Sequence, residues 1–358
     1  MSRFLLIDIG AGTMDVLYYD TKTDLHYKAV VKSPVRYMAE KAADISKDLL
    51  VTGVEMGGGP ISHILRQKAE KFEVVMTPSS AATLNHNPDK VRSWGIRIVE
   101  DAEITALLRD ERYALLTIGD IEPERIRNIV EAFGVAFSFD TVGVCAQDHG
   151  TPPDGMSHLD YRHQIFKQAL DRHPFPHALL YRNDEIPPTL NRLRSIAEGL
   201  ERFPTDDIYV MDSGMAAILG SSMDPLARSK GKTLVLDVAT SHTLGAALEG
   251  EELAGFFEYH THDITVDRLD DLLQKLADGE LVHEKILEQG GHGAYTRKRV
   301  GFDAIEAIVS TGPKRRLAKG SRLPITPGAP LGDNMMTGTV GLLEAIRRRN
   351  GLKPISYR

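Results

Sequence analysis

The sequence predicts an α/β protein made of two similar halves, and three observations point that way. Short apolar, β-branched runs alternate with segments of helical period along the chain. Two strand–turn–strand units, one beginning at Phe4 and one at Thr233, each place an aspartate near the end of the first strand, which reads as an internal duplication. A length of 358 residues corresponds to two or three domains at about 150 residues each.

The first half opens with Phe4 to Ile9, which ends in Gly-Ala-Gly and is followed by Val16 to Tyr19, a hairpin around a glycine turn. Met38 to Leu50 has helical spacing, and so does Ile121 to Phe133. Val74 to Met76, Ile96 to Val99, Leu115 to Ile118 and Val142 to Ala146 read as strands. Gln147 to Met156 is rich in Gly, Pro and Asp, the kind of loop that carries chemistry. Helices around Tyr161–Asp171 and Leu190–Leu200 follow, then a strand, Ile208 to Met211, feeding a small-residue helix, Ser213 to Leu219.

The linker Asp224–Lys232 divides the chain into a first domain, 1–224, carrying an inserted α/β segment, and a second, 225–358. The second half is read as a meander (Thr233–Val238, Leu244–Leu248, Ala254–Tyr259), helices at Val266–Leu276 and Glu280–Glu288, a strand at Ala304–Ser310 and a closing helix, Met335–Arg349. Arg347, Arg348, Arg349 and Lys353 read as a solvated helix end that complements the macrodipole.

Hydrophobic residues make up 42% and charged residues 26%, so a large core can be buried and a disordered chain is excluded. Lys and Arg total 43 against 50 Asp and Glu, and the net charge of -7 argues against nucleic acid as a partner. The one cysteine, Cys145, excludes an intramolecular disulfide and any iron–sulfur cluster held by three or four thiolates of one chain. It reads as a buried strand residue, and the compartment expected is a reducing cytoplasm. No run approaches the roughly 18 apolar residues of a membrane helix, so no membrane partner is expected.

The string Asp8-Ile9-Gly10-Ala11-Gly12-Thr13-Met14-Asp15 lies between two strands. Polyphosphate binding requires backbone N–H groups close to phosphate oxygens, glycines that permit the approach, and a hydroxyl or carboxylate to manage a metal. This turn offers all three, although a plain glycine hairpin would have the same composition.

In these residues the chain resembles the actin, heat-shock chaperone and sugar kinase superfamily of ATP-dependent proteins. Asp212-Ser213-Gly214-Met215-Ala216 resembles that superfamily's small-residue connecting helix, and Asp237-Val238-Ala239-Thr240-Ser241 its second hairpin, with Ala-Thr-Ser in place of the usual glycines. Ser310-Thr311-Gly312-Pro313 resembles its adenosine segment, and the helix through Gly338, Gly341 and Ala345 its second connecting helix. The resemblance implies two ribonuclease-H-like (actin-like ATPase) domains with an interdomain cleft that takes ATP and Mg²⁺. Gly10, Gly12, Thr13, Asp15, Thr240, Ser241, Thr311 and Gly312 would bind the nucleotide, Asp8 and Asp237 the metal, and Asp212, Asp148 and His149 would be catalytic.

The whole chain also resembles a prokaryotic family once labelled as pyruvate formate-lyase activating enzymes, through Gln147-Asp148-His149-Gly150, Glu258-Tyr259-His260-Thr261, Gly291-His292-Gly293-Ala294 and Thr311-Gly312-Pro313. A radical iron–sulfur activity is excluded, because that chemistry needs three cysteines.

Thirteen histidines are many, and His149, His242, His260, His262 and His292 fall beside glycines or acids in loops. His260 and His262 would point to one face of a strand, but no compact metal motif accompanies them. Asp148-His149-Gly150 follows an apolar strand, where α/β folds display functional groups. The leading expectation is an ATP-dependent phosphotransferase or ATP-coupled hydrolase acting on a small molecule, with a homodimer as a compatible assembly. The altered second turn favours an alternative, a degenerate nucleotide- or metabolite-binding sensor or assembly protein without turnover. A third reading is a metal-dependent hydrolase using His149, His260 and His292.

Overall fold

A computed structural model describes residues 2–357. The first sheet has six strands in the spatial order Leu25–Lys32, Thr13–Asp20, Arg3–Ile9, Thr141–Ala146, Asp207–Asp212 and Leu180–Arg182. The first three form an antiparallel meander, and Thr141–Ala146 and Asp207–Asp212 then add in parallel to Arg3–Ile9. The second sheet runs Gly293–Thr296, Glu252–His260, His242–Glu249, Lys232–Val238, Ala307–Thr311 and Ile325–Pro327. It repeats the same plan, an antiparallel meander followed by two parallel additions. With the edge strands Leu180–Arg182 and Gly293–Thr296 set aside, the remaining five strands of each sheet share the order 3-2-1-4-5 when numbered within each half, the ribonuclease-H-like arrangement expected from the duplicated strand–turn–strand units. The central strands are near-continuous apolar runs because both of their faces are covered.

Two helices, Ser213–Ser222 and Thr337–Arg349, cross between the sheets. They meet backbone to backbone: a Cβ on Gly220 would lie 1.8 Å from the Thr337 carbonyl oxygen, and one on Gly341 1.8 Å from that of Ala216. One core cluster therefore contains Phe4, Leu6 and Cys145 of the first sheet, Val235 and Ala246 of the second, and Met215, Val340 and Leu343 of the helices. Burying this seam supplies the hydrophobic term that joins the halves.

The closing helix rests on the first sheet, against Arg3–Ile9 and Thr141–Ala146, rather than completing the second half. Its small residues cause this, since Gly338 packs on Asp8 and the helix side chains Leu342 and Ile346 fill the space left by Gly143. The basic run at its end is not simply solvated. Arg347 and Arg348 both bond to the buried Glu344 at 2.7 Å, and Tyr357 donates to the same carboxylate at 2.9 Å.

Inserted along the chain between the strands Leu25–Lys32 and Thr141–Ala146 is a separate parallel sheet in the order Ile96–Ile98, Val74–Met76, Asp48–Gly53, Tyr113–Ile118. Met38 to Leu50 is not one helix. The helix is Pro34–Asp44, and Leu49 and Leu50 belong to the strand Asp48–Gly53, where a short buried parallel strand mimics a helical apolar pattern. Among the described residues no helix is long and apolar enough to cross a membrane.

Candidate functional site

The inner ends of the two hairpins open onto a cavity of ≈ 570 Å³ between the halves and the inserted sheet, within the range of small-molecule sites. In the first hairpin Asp8 and Asp15 are directly opposed across the antiparallel pair, and the Gly10 N–H donates to the Thr13 carbonyl at 3.0 Å to close the turn. Ser33 holds the turn from behind, its hydroxyl donating to the Gly10 carbonyl at 2.6 Å and its N–H to that of Gly12 at 3.2 Å.

The second hairpin keeps this shape without glycine. The Ala239 N–H donates to the His242 carbonyl at 3.0 Å, the counterpart of the Gly10–Thr13 bond. Neither turn contains a left-handed residue, so the first turn's glycines serve close approach rather than backbone conformation. Gly12 faces Thr240 of the opposite turn, and a Cβ there would meet the threonine methyl at 2.9 Å. Asp237, at the position matching Asp8, is held by the Thr311 hydroxyl at 3.1 Å, which Ser221 meets at 2.8 Å. Gly312 adopts φ +87° and packs on the Val238 carbonyl and the Asp237 carboxylate, a position that any side chain would fill.

Three carboxylates of the hairpin strands, Asp8, Asp15 and Asp237, line the cleft with raised pKa values. Burial, with the charges of Asp237 and Asp212 adding to it, raises Asp8 to about 7. Burial and the facing Asp8 raise Asp15 to about 8. Burial raises Asp237 to about 6, with the Thr311 hydrogen bond opposing. One oxygen of Asp8 and one of Asp15 are buried without a hydrogen-bond partner. Buried, unpartnered and mutually repelling carboxylate oxygens are stabilised by a hard cation, so this donor set fits Mg²⁺.

The remaining predicted residues separate. Asp148 accepts from the Gly150 N–H at 2.8 Å and the Leu193 N–H at 3.0 Å, tying the loop to the first turn of the helix Asn191–Leu200. Asp212 caps its own helix through the Met215 N–H at 3.0 Å, and its other oxygen is paired with Arg162 Nη2 at 3.0 Å. Both carboxylates are thus occupied, and Asp212 and Thr311 lie behind the cavity wall rather than on it. His149 borders the cavity, and burial, with Arg162 adding to it, lowers its imidazole to about 3, so the ring is neutral at neutral pH.

Sequence reasoning did not find Arg162 or Glu258. Arg162 is buried between Asp212 of the first half and Glu258 of the second, and Gln147 donates to Glu258 at 2.7 Å. Burial pushes the Glu258 carboxyl up, but Arg162 outweighs it and holds the group well below the usual range. No local motif marks such a pair, because its partners are 96 residues apart.

The histidines converge differently from the expected set. His242 and His260 are cross-strand neighbours and stack at 4.8 Å, and His260 Nε2 lies 3.1 Å from His292 Nε2. His149 stands 6.3 Å from His292, ring to ring, while His262 is exposed beside His260.

The inserted segment supplies the third wall through Gly57, Gly58, Gly59 and the His86–Glu55 pair at 2.9 Å. Arg192 grips the buried Asp120 with two bonds, 2.7 and 3.0 Å, and Asp120 accepts from the Gly57 N–H at 3.2 Å. The run Gly57-Gly58-Gly59-Pro60 was the available sequence signal for this wall.

Two ribonuclease-H-like halves, crossed by two helices and meeting at paired hairpin turns, define a protein of the actin-like class. The chain belongs to the family described as "Putative pyruvate format-lyase activating enzyme (DUF1786)", whose model matches residues 56–317. The radical chemistry in that description needs thiolates that a single cysteine cannot supply. No curated protein matches the chain. Among solved structures it is similar to the filament of AlfA from B. subtilis plasmid pLS32, at 10% identity and TM-score 0.41, covering 96% of this chain and 98% of that one. It is also similar to a protein of unknown function with an actin-like ATPase fold from Bacteroides thetaiotaomicron VPI-5482, at 9% identity and TM-score 0.36, covering 96% and 95%. A third is the ROK hexokinase of Thermus thermophilus, at 12% identity and TM-score 0.32, covering 98% and 99%.

Proposed function

We propose that the protein binds Mg²⁺–ATP between its two hairpin turns and uses it as a phosphotransferase or ATP-coupled hydrolase on a small molecule held against the inserted sheet. The observation carrying this reading is the pair of turns closed by the same backbone hydrogen bond, with the buried Asp15 and Asp237 and the half-buried Asp8 beside them. Gly10, Gly12 and Thr13 from one turn, and Thr240 and Ser241 from the other, would contact phosphates, with Gly312 toward the nucleoside. Asp8, Asp15 and Asp237 would hold Mg²⁺, which when bound neutralises phosphate charge.

Thr311 orients Asp237 toward the site through its hydroxyl. His149, neutral at the cavity wall, would orient the substrate, while Asp148 and Asp212 position the loop and Arg162. A cytoplasmic setting accords with the unpaired, buried Cys145.

A second reading, a nucleotide- or metabolite-binding sensor without turnover, is favoured by one observation: the carboxylates of Asp148 and Asp212 are both fully engaged by the protein. Crystals soaked with a non-hydrolysable ATP analogue and Mg²⁺ test the site. Phosphate density between residues 10–13 and 239–242 is expected, and density elsewhere, or none, contradicts the assignment. Phosphate release with and without candidate small molecules separates the two readings.

A further inference from the structure

The histidine cluster stands on different residues from those proposed to hold the nucleotide. His242 begins the strand His242–Glu249, His260 ends the strand Glu252–His260, and His292 precedes the strand Gly293–Thr296. The sheet register sets His242 directly opposite His260, and the His292 N–H donates to the Glu258 carbonyl at 2.8 Å. Three strand ends of one sheet therefore deliver three imidazoles to one place. One nitrogen from each ring can be chosen so that all lie within 4.8 Å of one another. A tetrahedral ion about 2.1 Å from each nitrogen would set them about 3.4 Å apart, and the His260–His292 pair is already at 3.1 Å.

Two further features mark a ligand site rather than a stack of rings. The Nε2 of His242 is buried with no hydrogen-bond partner, a deficit that bonding to an ion would remove. The far nitrogen of His292, Nδ1, is likewise buried without a hydrogen-bond partner and stands 3.7 Å from Glu258 Oε1, a carboxylate itself fixed by Arg162 and Gln147. A carboxylate behind a ligating imidazole is the arrangement that fixes tautomer and ring orientation in metal sites.

We propose that His242, His260 and His292 form a site for one divalent transition ion of the Zn²⁺ type, with Glu258 orienting His292 and a fourth position left for water or a substrate oxygen. Three imidazoles with an open position make a Lewis-acid site, unlike the oxygen donors offered to Mg²⁺ at the hairpins. His242 and Glu258 also border the cavity, so the ion would stand at the wall where a small molecule meets the second turn.

The test uses metal alone and needs no nucleotide, so its outcome is independent of the ATP reading. Purified protein is stripped with chelator and titrated with Zn²⁺ against a chromophoric competitor, and with Co²⁺ monitored by visible absorption. One ion per chain with a low-symmetry Co²⁺ spectrum is expected. His292→Ala and His260→Ala should each weaken binding at least 100-fold, and Glu258→Gln about 10- to 100-fold. His262→Ala, altering the exposed neighbour, should leave affinity unchanged. Should His292→Ala or Glu258→Gln fail to fold by circular dichroism, His260→Ala still decides, because it lies at a strand end and is the most exposed of the three. Absence of stoichiometric binding by the wild type overturns the proposal and leaves two imidazoles sharing a proton. Unchanged affinity in folded His260→Ala also overturns it.

Discussion

Gly12 and Thr240 oppose each other across the cleft so closely that a Cβ on Gly12 would lie 2.9 Å from the threonine methyl and 3.0 Å from its hydroxyl. The first turn's second glycine is thus required by the opposite half, not by its own backbone. Gly12→Ala should force Thr240 from its rotamer, at about 1 kcal/mol, and weaken Mg²⁺–ATP binding about fivefold to tenfold. Gly12→Ala with Thr240→Ser should recover most of that loss, because the methyl nearest the new Cβ is gone while the hydroxyl proposed to meet phosphate is kept. Titration of both variants checks this, and an equal loss in the double variant would argue against a steric cause.

The helix crossing makes a separate demand. A Cβ on Gly341 would lie 1.8 Å from the Ala216 carbonyl oxygen and 2.7 Å from the Gly220 nitrogen, both backbone atoms. Overpacking there cannot be relieved by a rotamer change, so Gly341→Ala should destabilise the fold by about 3 kcal/mol. Urea unfolding measures it, and a change below about 0.5 kcal/mol would mean the helices separate freely.

These two glycines illustrate what the sequence could and could not convey. The paired turns, their leading aspartates and the small-residue helices were legible, because each is a local string that recurs in order. The pairing of Arg162 with Asp212 and Glu258, the regrouping of His242 with His260 and His292, and the position of the closing helix were not, since sheet register and chain crossings create them. The Ala-Thr-Ser turn lacks the glycines that were read as permitting close approach to phosphate, yet its backbone closes in the same way as the glycine turn.

Arg162 joins the halves through two buried carboxylates. Arg162→Ala leaves both unpaired and should cost about 3–5 kcal/mol. Glu258→Gln leaves Arg162 paired with Asp212 and should cost distinctly less. Chemical denaturation of the two variants gives the comparison, and equal losses would contradict the bridging role.

Acidities raised in the folded state have a definite sign. Asp8, Asp15 and Asp237, near 7, 8 and 6, stay protonated in the native protein where an unfolded carboxyl, at 3.8, has already ionised. The native state then binds more protons, so these groups make stability fall as pH rises from about 4 toward 8. A bound cation offsets the repulsion and competes with the same protons. The rise in melting temperature on adding Mg²⁺ should therefore be larger at pH 8 than at pH 6. A shift independent of pH would remove these carboxylates from the metal site.

Asp8 and its hairpin are proposed to hold a magnesium nucleotide. Isothermal titration calorimetry of Mg²⁺–ATP at pH 8, on wild type and Asp8→Asn, tests it most directly. Asparagine matches the shape of Asp8 and removes a buried charge, so the variant should fold with unchanged or higher melting temperature. Loss of a charged contact of about 1.5–3 kcal/mol predicts near-stoichiometric binding by wild type and affinity at least tenfold weaker in the variant. Equal affinity in the two proteins, or no uptake by folded wild type, would contradict the account.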